Sequence, residues 1–347
     1  MYKFDNDYSR GAHPVILNAL AEINDNSYVG YGHDEICKKA VEDINKLIDS
    51  PDAQIHFLVG GTQMNMIAME AMLHAFQSVI SADSGHIAVH ESGAIENTGH
   101  KVHVIPSADG KITAAQIAEN ANYYIHNDLK EHMTQPRAVY ISFPTEYGTL
   151  YSKKELEDIR LVCNKFKLFL YIDGARMGYG LTADENDVTL ADIATYADAF
   201  YIGGTKCGAL FGEAFVTTSP MIQENFRNYM KMNGALLAKG WLLGLQFHEL
   251  LKGGKDCLYF QICRQANEYA KRIQAALDST GAKPYIRSQS NQLYYELSRS
   301  QVENLRTQGI FFELDHWIDD ETALVRFCTS WSTTEEEVDA LVNAIKQ

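Results

Sequence analysis

Two short segments decide the fold of this chain: Leu168-Phe-Leu-Tyr-Ile-Asp-Gly-Ala-Arg176 and Ala199-Phe-Tyr-Ile-Gly-Gly-Thr-Lys206. Each opens with an apolar, aromatic-rich run, which is typical of a buried strand in an α/β sheet. Small and charged residues follow each run, so that Asp173 and Arg176 come after the first and Lys206 after the second. Ligands of open α/β sheets bind outside the carboxyl ends of the strands. The two segments therefore predict a functional site where these three side chains meet.

The residue types at these strand ends indicate a cofactor. An amine that can form a Schiff base and a carboxylate that can pair with a pyridinium nitrogen are the two protein groups that a pyridoxal 5′-phosphate (PLP) enzyme needs most. Lys206 supplies the amine and Asp173 the carboxylate. Taken alone, a lysine in a turn and an aspartate that caps a helix are the ordinary alternatives. A carboxylate that ends an apolar strand is costly to bury without a partner, however, which favours the PLP interpretation.

Composition narrows the class of protein. The chain has 347 residues, of which 46% are hydrophobic, and its formal net charge is −15. Such a charge argues against binding to nucleic acid or to an anionic membrane surface. The six cysteines form no Cys-x-x-Cys pair, and the polar N-terminus has no apolar core of a signal peptide. We therefore expect a cytoplasmic protein that acts on a small molecule.

Strand-like and helix-like patterns alternate from about residue 50 to 220, which predicts a mostly parallel sheet wrapped by helices. A long helical pattern follows over 221–251, and a capping box at Thr334 and Glu337 opens a final helix. We place a boundary near residue 252, between a large α/β domain (1–251, with the N-terminal segment) and a small α+β domain (252–347). The predicted strands are 54–59, 78–82, 102–105, 137–143, 168–172, 199–202, 214–217, 292–296 and 323–328, and the other predicted helices are 62–76, 113–125, 153–166 and 261–277.

Several short motifs, in order along nearly the whole chain, are similar to those of one enzyme family. They are Phe4-Asp-Asn-Asp7, Gly30-Tyr31-Gly32, Gly60-Gly61-Thr62, Gly85-His86-Ile87, His90-Glu-Ser-Gly93, Asp173-Gly-Ala-Arg176, Thr205-Lys206 and Arg326-Phe-Cys-Thr329. Together they resemble the fold-type-I PLP enzymes of the L-threonine aldolase and β-eliminating lyase family. The resemblance implies the aspartate aminotransferase fold, with PLP as the cofactor.

The same resemblance implies roles for individual residues. Lys206 would bind PLP covalently and take part in catalysis, Asp173 would pair with the ring nitrogen, and His86 would stack on the ring. The phosphate group would be bound by Gly60, Gly61, Thr62, Gln63 and Thr205. Arg176 and Arg326 would bind the substrate carboxylate, and Asn6 and Tyr31 would also contact the substrate. Lys239 would contact the cofactor of a partner subunit. A homodimer or homotetramer with a site shared across the interface follows from the last role. No metal site is predicted, because His86 and His90 have no evident third ligand.

At one position the chain departs from the pattern of many threonine aldolases. Those enzymes carry Thr-His-Asn where this chain has Thr145-Glu146-Tyr147. A carboxylate can also take a proton from a β-hydroxyl group if burial raises its pKa. The resemblance implies cleavage of L-threonine, L-allo-threonine or a related β-hydroxy-α-amino acid, and we predict that Glu146, acting through water or together with His86, is the catalytic base. The alternatives are β-elimination from an aromatic or sulfur amino acid, an aminotransferase, and a relative without catalysis.

Overall fold

Thirteen strands form three sheets in the computed structural model, which describes residues 1–347. In chain order the strands are β1 (Tyr2–Lys3), β2 (Gln54–Leu58), β3 (Gln77–Ala82), β4 (Lys101–Ile105), β5 (Gln135–Ser142), β6 (Phe169–Asp173), β7 (Ala199–Gly203), β8 (Glu213–Thr217), β9 (Lys283–Ile286), β10 (Gln292–Ser298), β11 (Ile310–Phe311), β12 (Glu313–Trp317) and β13 (Thr322–Cys328). All nine strands predicted from the sequence are present, with ends that differ by one or two residues.

Fifteen α-helices connect and cover these strands. They are α1 (Pro14–Ile23), α2 (Glu35–Ile48), α3 (Gly61–Met72), α4 (His86–Val89), α5 (Ala94–Asn97), α6 (Ala114–His126), α7 (Lys153–Phe166), α8 (Met177–Leu181), α9 (Leu190–Tyr196), α10 (Pro220–Gln223), α11 (Phe226–Met232), α12 (Trp241–Leu251), α13 (Leu258–Ser279), α14 (Arg299–Thr307) and α15 (Glu335–Ile345). No helix is both long enough and apolar enough to span a bilayer.

The central sheet has seven strands in the order β2-β8-β7-β6-β5-β3-β4. Only β8 runs antiparallel to its neighbours, β2 and β7. Because β6 and β7 are parallel and adjacent, their carboxyl ends lie at the same edge. This arrangement confirms the mostly parallel sheet and brings the two informative segments together.

Side chains alternate between the two faces of this sheet, as the pleat requires. Tyr140, Tyr171 and Tyr201 are buried on the face that α3 covers, within one apolar cluster. Ile172 and Ile202 belong to the larger apolar cluster on the other face. The strands β5, β6 and β7 are thus buried on both faces, which explains why they are continuous apolar runs in the sequence.

The C-terminal region contains a four-stranded antiparallel sheet in the order β12-β13-β10-β9. The N-terminal segment, which we expected with the large domain, instead pairs with this region, because β1 lies parallel to β11. Phe4 is fully buried in the same apolar cluster as Ile273 and Phe327. The boundary near residue 252 stays a prediction.

The helical pattern over 221–251 does not form one continuous helix. It is divided into α10, α11 and α12, and Gly234 takes a left-handed conformation (φ +70°) shortly after α11 ends. A glycine adopts that conformation easily and so ends a helix at low cost. The capping box at Thr334 is present, since its hydroxyl accepts from the Glu337 N–H and the Glu337 carboxylate accepts from the Thr334 N–H.

Candidate active site

A cavity of about 360 Å³ opens at the carboxyl ends of β5, β6 and β7. Residues from several elements line it: Tyr8, Val59, Gly60, Gly61, Thr62, His86, Ser142, Pro144, Glu146, Asp173, Ala175, Arg176, Tyr201, Thr205, Lys206, Phe211 and Glu213. A second cavity of about 490 Å³ shares Lys206, Arg176, His86, Glu146 and Tyr8 with the first, and also reaches Arg326. The two cavities are therefore parts of one polar cleft that contains most of the predicted site residues.

The Asp173 carboxylate is buried at the floor of the cleft and is surrounded by donors. The Tyr140 hydroxyl donates to Oδ2 at 2.6 Å, and the Tyr201 hydroxyl and the Ala175 N–H donate to Oδ1 at 2.5 and 2.9 Å. Burial acts to raise the pKa of this carboxyl, but the charge of His86 and the two tyrosine hydroxyls outweigh burial and lower it. Asp173 is thus held as an anion without a salt bridge in the chain, as a partner of a cationic ring nitrogen must be.

Lys206 lies in the loop between β7 and β8, and its side chain lines both cavities. Its backbone carbonyl accepts a hydrogen bond of 2.6 Å from the Tyr179 hydroxyl, which fixes the loop. Burial, followed by the charge of Arg176, lowers the pKa of its amine, although the carboxylates of Asp7 and Asp173 act in the opposite direction. A lowered pKa increases the fraction of neutral amine, which is the nucleophilic form.

Gly60, Gly61 and Thr62 form the turn from β2 into α3, and all three line the first cavity. A Cβ atom added to Gly60 would meet nothing within 4 Å, so the space beside this amide is open. The N-terminus of a helix with such a turn is suited to binding a phosphate group. Thr205 lies opposite in the same cavity, whereas Gln63 turns away and donates to the Asn233 carbonyl at 3.4 Å.

His86 begins α4 and is oriented by a buried carboxylate. Its Nδ1 lies 2.8 Å from Oε1 of Glu91, and the Asn65 amide donates to the same oxygen at 2.8 Å. Asn65 also donates to Asp173 Oδ2 at 3.2 Å. Glu91, Asn65 and Asp173 therefore form a chain of hydrogen bonds that fixes the imidazole relative to the carboxylate on the cavity floor.

Arg176 is held by Asp7 from the N-terminal segment. The Nε and Nη2 atoms donate to the two Asp7 oxygens at 2.7 and 3.0 Å, and the Asn291 amide donates to Asp7 Oδ2 at 2.9 Å. The Asp7 side chain is fully buried, and the Arg176 side chain is only 11% exposed. The bidentate pair fixes the guanidinium plane, and Arg176 still lines both cavities.

Arg326 lies at the outer end of the cleft and is paired with Glu313 through Nη2. Its Nη1 donates to the Gln292 side chain at 3.3 Å, while its Nε is buried without a hydrogen-bond partner. Asn6 lines the same outer cavity. An unpartnered buried donor is unusual, and it belongs to a side chain that lines the outer cavity.

Glu146 stands where the two cavities join. Oε1 accepts hydrogen bonds from the Ser142 hydroxyl at 2.6 Å and from the His86 N–H at 2.9 Å. Both of these bonds fall on one oxygen, and Oε2 has no hydrogen-bond partner on another residue. Burial raises the pKa of this carboxyl against the opposing effect of Ser142.

Tyr31 and Lys239 do not line either cavity. They lie near each other at the surface, where the Tyr31 N–H donates to the carbonyl of Ala238 at 3.1 Å. The Tyr31 side chain is 43% exposed, and the Lys231 ammonium lies 4.9 Å from the centre of its ring. Within one chain, therefore, these two residues are separate from the cleft.

The residues of the cleft fit PLP in the chemistry of their donors. A half-buried lysine, an anionic carboxylate and an open glycine turn at a helix N-terminus line the same cavity. These are the groups that bind an aldehyde carbon, a pyridinium nitrogen and a phosphate. No cluster of three or more His, Cys, Asp or Glu side chains is arranged to hold a metal ion.

Sequence reasoning missed several residues that support this cleft. Glu91 belongs to the motif His90-Glu-Ser-Gly93, and Asp7 belongs to Phe4-Asp-Asn-Asp7 and directly follows Asn6. Tyr140 and Tyr201 occupy buried strands and are indistinguishable from core residues without the structure. Glu213 is a charged residue directly before a predicted apolar strand, and that contrast was the one available signal.

Comparisons with known proteins agree with this geometry. The family model described as β-eliminating lyase matches residues 10–299. A low specificity L-threonine aldolase of Pseudomonas sp. (strain NCIMB 10558) is 29% identical over 99% of this chain and 97% of its own. The solved structure of Leishmania major threonine aldolase is 43% identical, with a TM-score of 0.95 over 100% of this chain and 99% of that one.

A more distant structure confirms the fold alone. A mutant aspartate aminotransferase of Thermus thermophilus has a TM-score of 0.71 at 13% identity, covering 100% of this chain and 91% of that one. The predicted fold type I is therefore confirmed.

Proposed function

Because the chain belongs to the β-eliminating lyase family, a family of PLP-dependent lyases, we propose that it is an aldolase that cleaves L-threonine, L-allo-threonine or a related β-hydroxy-α-amino acid to glycine and an aldehyde. The observation that carries the proposal is that the Lys206 amine, the Asp173 carboxylate and the Arg176 guanidinium line one cavity. The names of the Pseudomonas and Leishmania relatives support the choice of reaction.

The protein holds the cofactor and orients the substrate. Lys206 would hold the aldehyde carbon of PLP through Nζ, Asp173 the ring nitrogen, and the Gly60–Thr62 turn with Thr205 the phosphate. When bound, PLP supplies an electron sink for the negative charge that develops at the substrate Cα. Arg176, fixed by Asp7, binds the substrate carboxylate together with Arg326. Two guanidinium groups that bind one carboxylate restrict rotation of the substrate about Cα. The orientation that they fix determines which of the bonds to Cα breaks.

Glu146 removes the proton that drives the cleavage. Its Oε2 takes the proton of the β-hydroxyl group, so that the C–O bond becomes the carbonyl of the aldehyde as the Cα–Cβ bond breaks. A raised pKa makes this carboxylate a stronger base than an ordinary glutamate. The backbone N–H of His86 and the hydroxyl of Ser142 hold Oε1, which keeps Oε2 in place. Lys206 Nζ lies in the same cleft and returns a proton to Cα.

The test is to load the protein with PLP and record its visible absorbance before and after L-threonine and L-allo-threonine, with detection of acetaldehyde. We expect a band from bound cofactor, release of acetaldehyde, and loss of both in Lys206→Ala. Lys283→Ala is the control, because Lys283 is 72% exposed and pairs with Glu296 away from the cleft. Pyruvate in place of acetaldehyde would show β-elimination instead, and the absence of any band would contradict the use of PLP.

Tyr31 and Lys239 extend the proposal to an oligomer. Both lie outside the cleft of their own chain, and Tyr31 is exposed, so a role in catalysis requires that they reach the cleft of a neighbouring copy. The proposed assembly is a homo-oligomer with sites shared between subunits. The cytoplasmic location stays a prediction.

Subunit complementation tests the shared site. Lys206→Ala and Lys239→Ala are each expected to be inactive or strongly impaired as pure proteins. After mixing, unfolding and refolding, hybrid dimers contain one site with neither substitution, so activity returns toward about a quarter of wild type by random pairing. A mixture that stays as inactive as its components, although it forms dimers, would contradict a shared site.

A further inference from the structure

We propose that Glu213 is a neutral carboxylic acid that donates a hydrogen bond to the phosphate group of PLP. This inference rests on the proposed function, since it concerns the same cofactor. It assigns a role to a buried acidic side chain that the mechanism does not use. It also predicts that the contribution of the phosphate group to PLP affinity depends on pH.

The register of β8 places Glu213 between the two loops that would hold the phosphate. Glu213 is the first residue of β8 and pairs with Leu58 of β2 on one side and with Gly203 of β7 on the other. The chain continues from β2 into the Gly60–Thr62 turn, and from β7 into the loop of Thr205 and Lys206. The carboxyl group therefore lies at the sheet edge where both loops begin, and it lines the first cavity with them.

The side chain is buried and anchored. Glu213 is only 4% exposed. The Gly204 N–H donates to its Oε2 at 2.9 Å. In a protonated carboxyl group one oxygen accepts this bond and the other carries an O–H that can donate to a neighbour. The Thr205 side chain also hydrogen-bonds to this carboxyl group. In the protonated form the carbonyl oxygen can accept both bonds, and the O–H is left as a donor for the cavity.

The surroundings favour the neutral form. Burial is the largest influence and raises the pKa of Glu213 to about 8, while hydrogen bonds from Thr205 and Gly204 and the charge of Lys206 oppose it. The other titratable groups that face the carboxyl are Asp173, whose negative charge also favours the neutral form, and the hydroxyls of Tyr171 and Tyr201. A phosphate dianion beside it would favour the neutral form further, because an ionised carboxylate would repel the phosphate.

The sign of the pH dependence follows from linkage. The protonated form binds the phosphate and the ionised form does not, so affinity is complete below the pKa of the free protein and falls as the pH rises through it. With that pKa at about 8, the loss between pH 7 and pH 9 is about tenfold. The second pKa of a phosphate monoester is about 6, so the phosphate keeps its charge over this range.

The experiment compares PLP with pyridoxal, which lacks the phosphate. Dissociation constants of both are measured for the PLP-free protein between pH 7 and pH 9. Their ratio isolates the phosphate, because the contacts of the ring and of Lys206 are common to both ligands. We expect the preference for PLP to fall about tenfold in the wild type. In Glu213→Gln it stays constant, since an amide N–H donates at every pH. Glu249→Gln, which changes a carboxylate 10% exposed and paired with Lys252, should follow the wild type.

Each outcome decides the inference. A wild-type ratio that does not change with pH overturns it, and this measurement needs no variant to fold. A Glu213→Gln protein whose ratio falls like that of the wild type also overturns it, because the pH dependence then has another source. If PLP binds but the ratio of the pyridoxal and PLP dissociation constants does not change with pH, only the role of Glu213 is overturned. If PLP does not bind at all, the proposed function is overturned as well.

Discussion

Replacing Asp7 with asparagine tests whether the N-terminal segment stabilises Arg176, the arginine proposed to bind the substrate carboxylate. Asp7 is 1% exposed, and both of its oxygens accept hydrogen bonds from Arg176. Burial acts to raise the pKa of Asp7, but the positive charges of Arg176 and Lys206 lower it from 3.8 to about 2. Asp7→Asn removes the negative charge and leaves the guanidinium buried with a weaker partner.

The loss of stability expected for Asp7→Asn follows from the lowered pKa of Asp7. At about 1.36 kcal/mol per pH unit, the fall from 3.8 to about 2 corresponds to about 2.4 kcal/mol of folding free energy. Breaking a buried pair by removing one partner costs about 3–5 kcal/mol in other proteins. We therefore expect Asp7→Asn to lower the free energy of unfolding at pH 7 by about 2–5 kcal/mol. Because the folded pKa is depressed, this stabilisation is complete above pH 3.8 and is lost as the pH falls through about 2.

Urea unfolding followed by tryptophan fluorescence measures this loss. Asp339→Asn is the control, because Asp339 and its partner Arg272 are 56% and 39% exposed. An exposed pair contributes less than about 1 kcal/mol. The double variant Asp7→Asn, Arg176→Gln should lose less than the sum of the two single variants, since neither charge is then left unpaired. The reasoning is refuted if Asp7→Asn costs no more than Asp339→Asn.

Three further substitutions probe the cleft itself. Glu146→Gln should lower kcat for L-threonine by about 10²–10⁴-fold. In the wild type, kcat should rise as the pH passes through the raised pKa of Glu146, because the ionised carboxylate is the base. An unchanged kcat in the variant would exclude Glu146 as the base. Tyr201→Phe removes a 2.5 Å hydrogen bond to the Asp173 anion and should lower the free energy of unfolding by about 1.5–3 kcal/mol in urea; no loss would show that the bond is unimportant. Glu313→Gln should lower KM by about two- to fivefold, because the 42%-exposed Glu313 competes with substrate for Arg326; a higher KM would contradict that competition.

The sheet was predictable from the sequence because its central strands leave a simple signal. Strands buried on both faces are continuous apolar runs, and the residues 168–172 and 199–202 are such runs. The helices around 221–251 were harder, since apolar residues recur through the whole stretch. What divides α11 from α12 is a left-handed turn at Gly234, and a glycine in a helical pattern does not by itself reveal that conformation.

The supporting residues of the cleft depend on contacts that a local pattern does not contain. Asp7 and Arg176 are 169 positions apart, so no local pattern reveals their pairing. Tyr140 reaches Asp173 because β5 pairs in register with β6, with Ser142 opposite Asp173. The residues proposed to touch the cofactor stand in family motifs and could therefore be named from the sequence, whereas residues that act through other residues, such as Tyr140, could not.

The pairing of β1 with β11 has a consequence for biosynthesis. Strand β1 has only two residues, and Tyr2 pairs with Ile310, which lies 308 positions later in the chain (310 − 2). Until that partner has been translated, the apolar cluster that buries Phe4 lacks Ile310 and the residues that follow it, such as Phe327. Contacts with so large a sequence separation form late in folding. A nascent chain can therefore build its central sheet, whose last strand β8 ends at Thr217, before the partner of β1 has been synthesised.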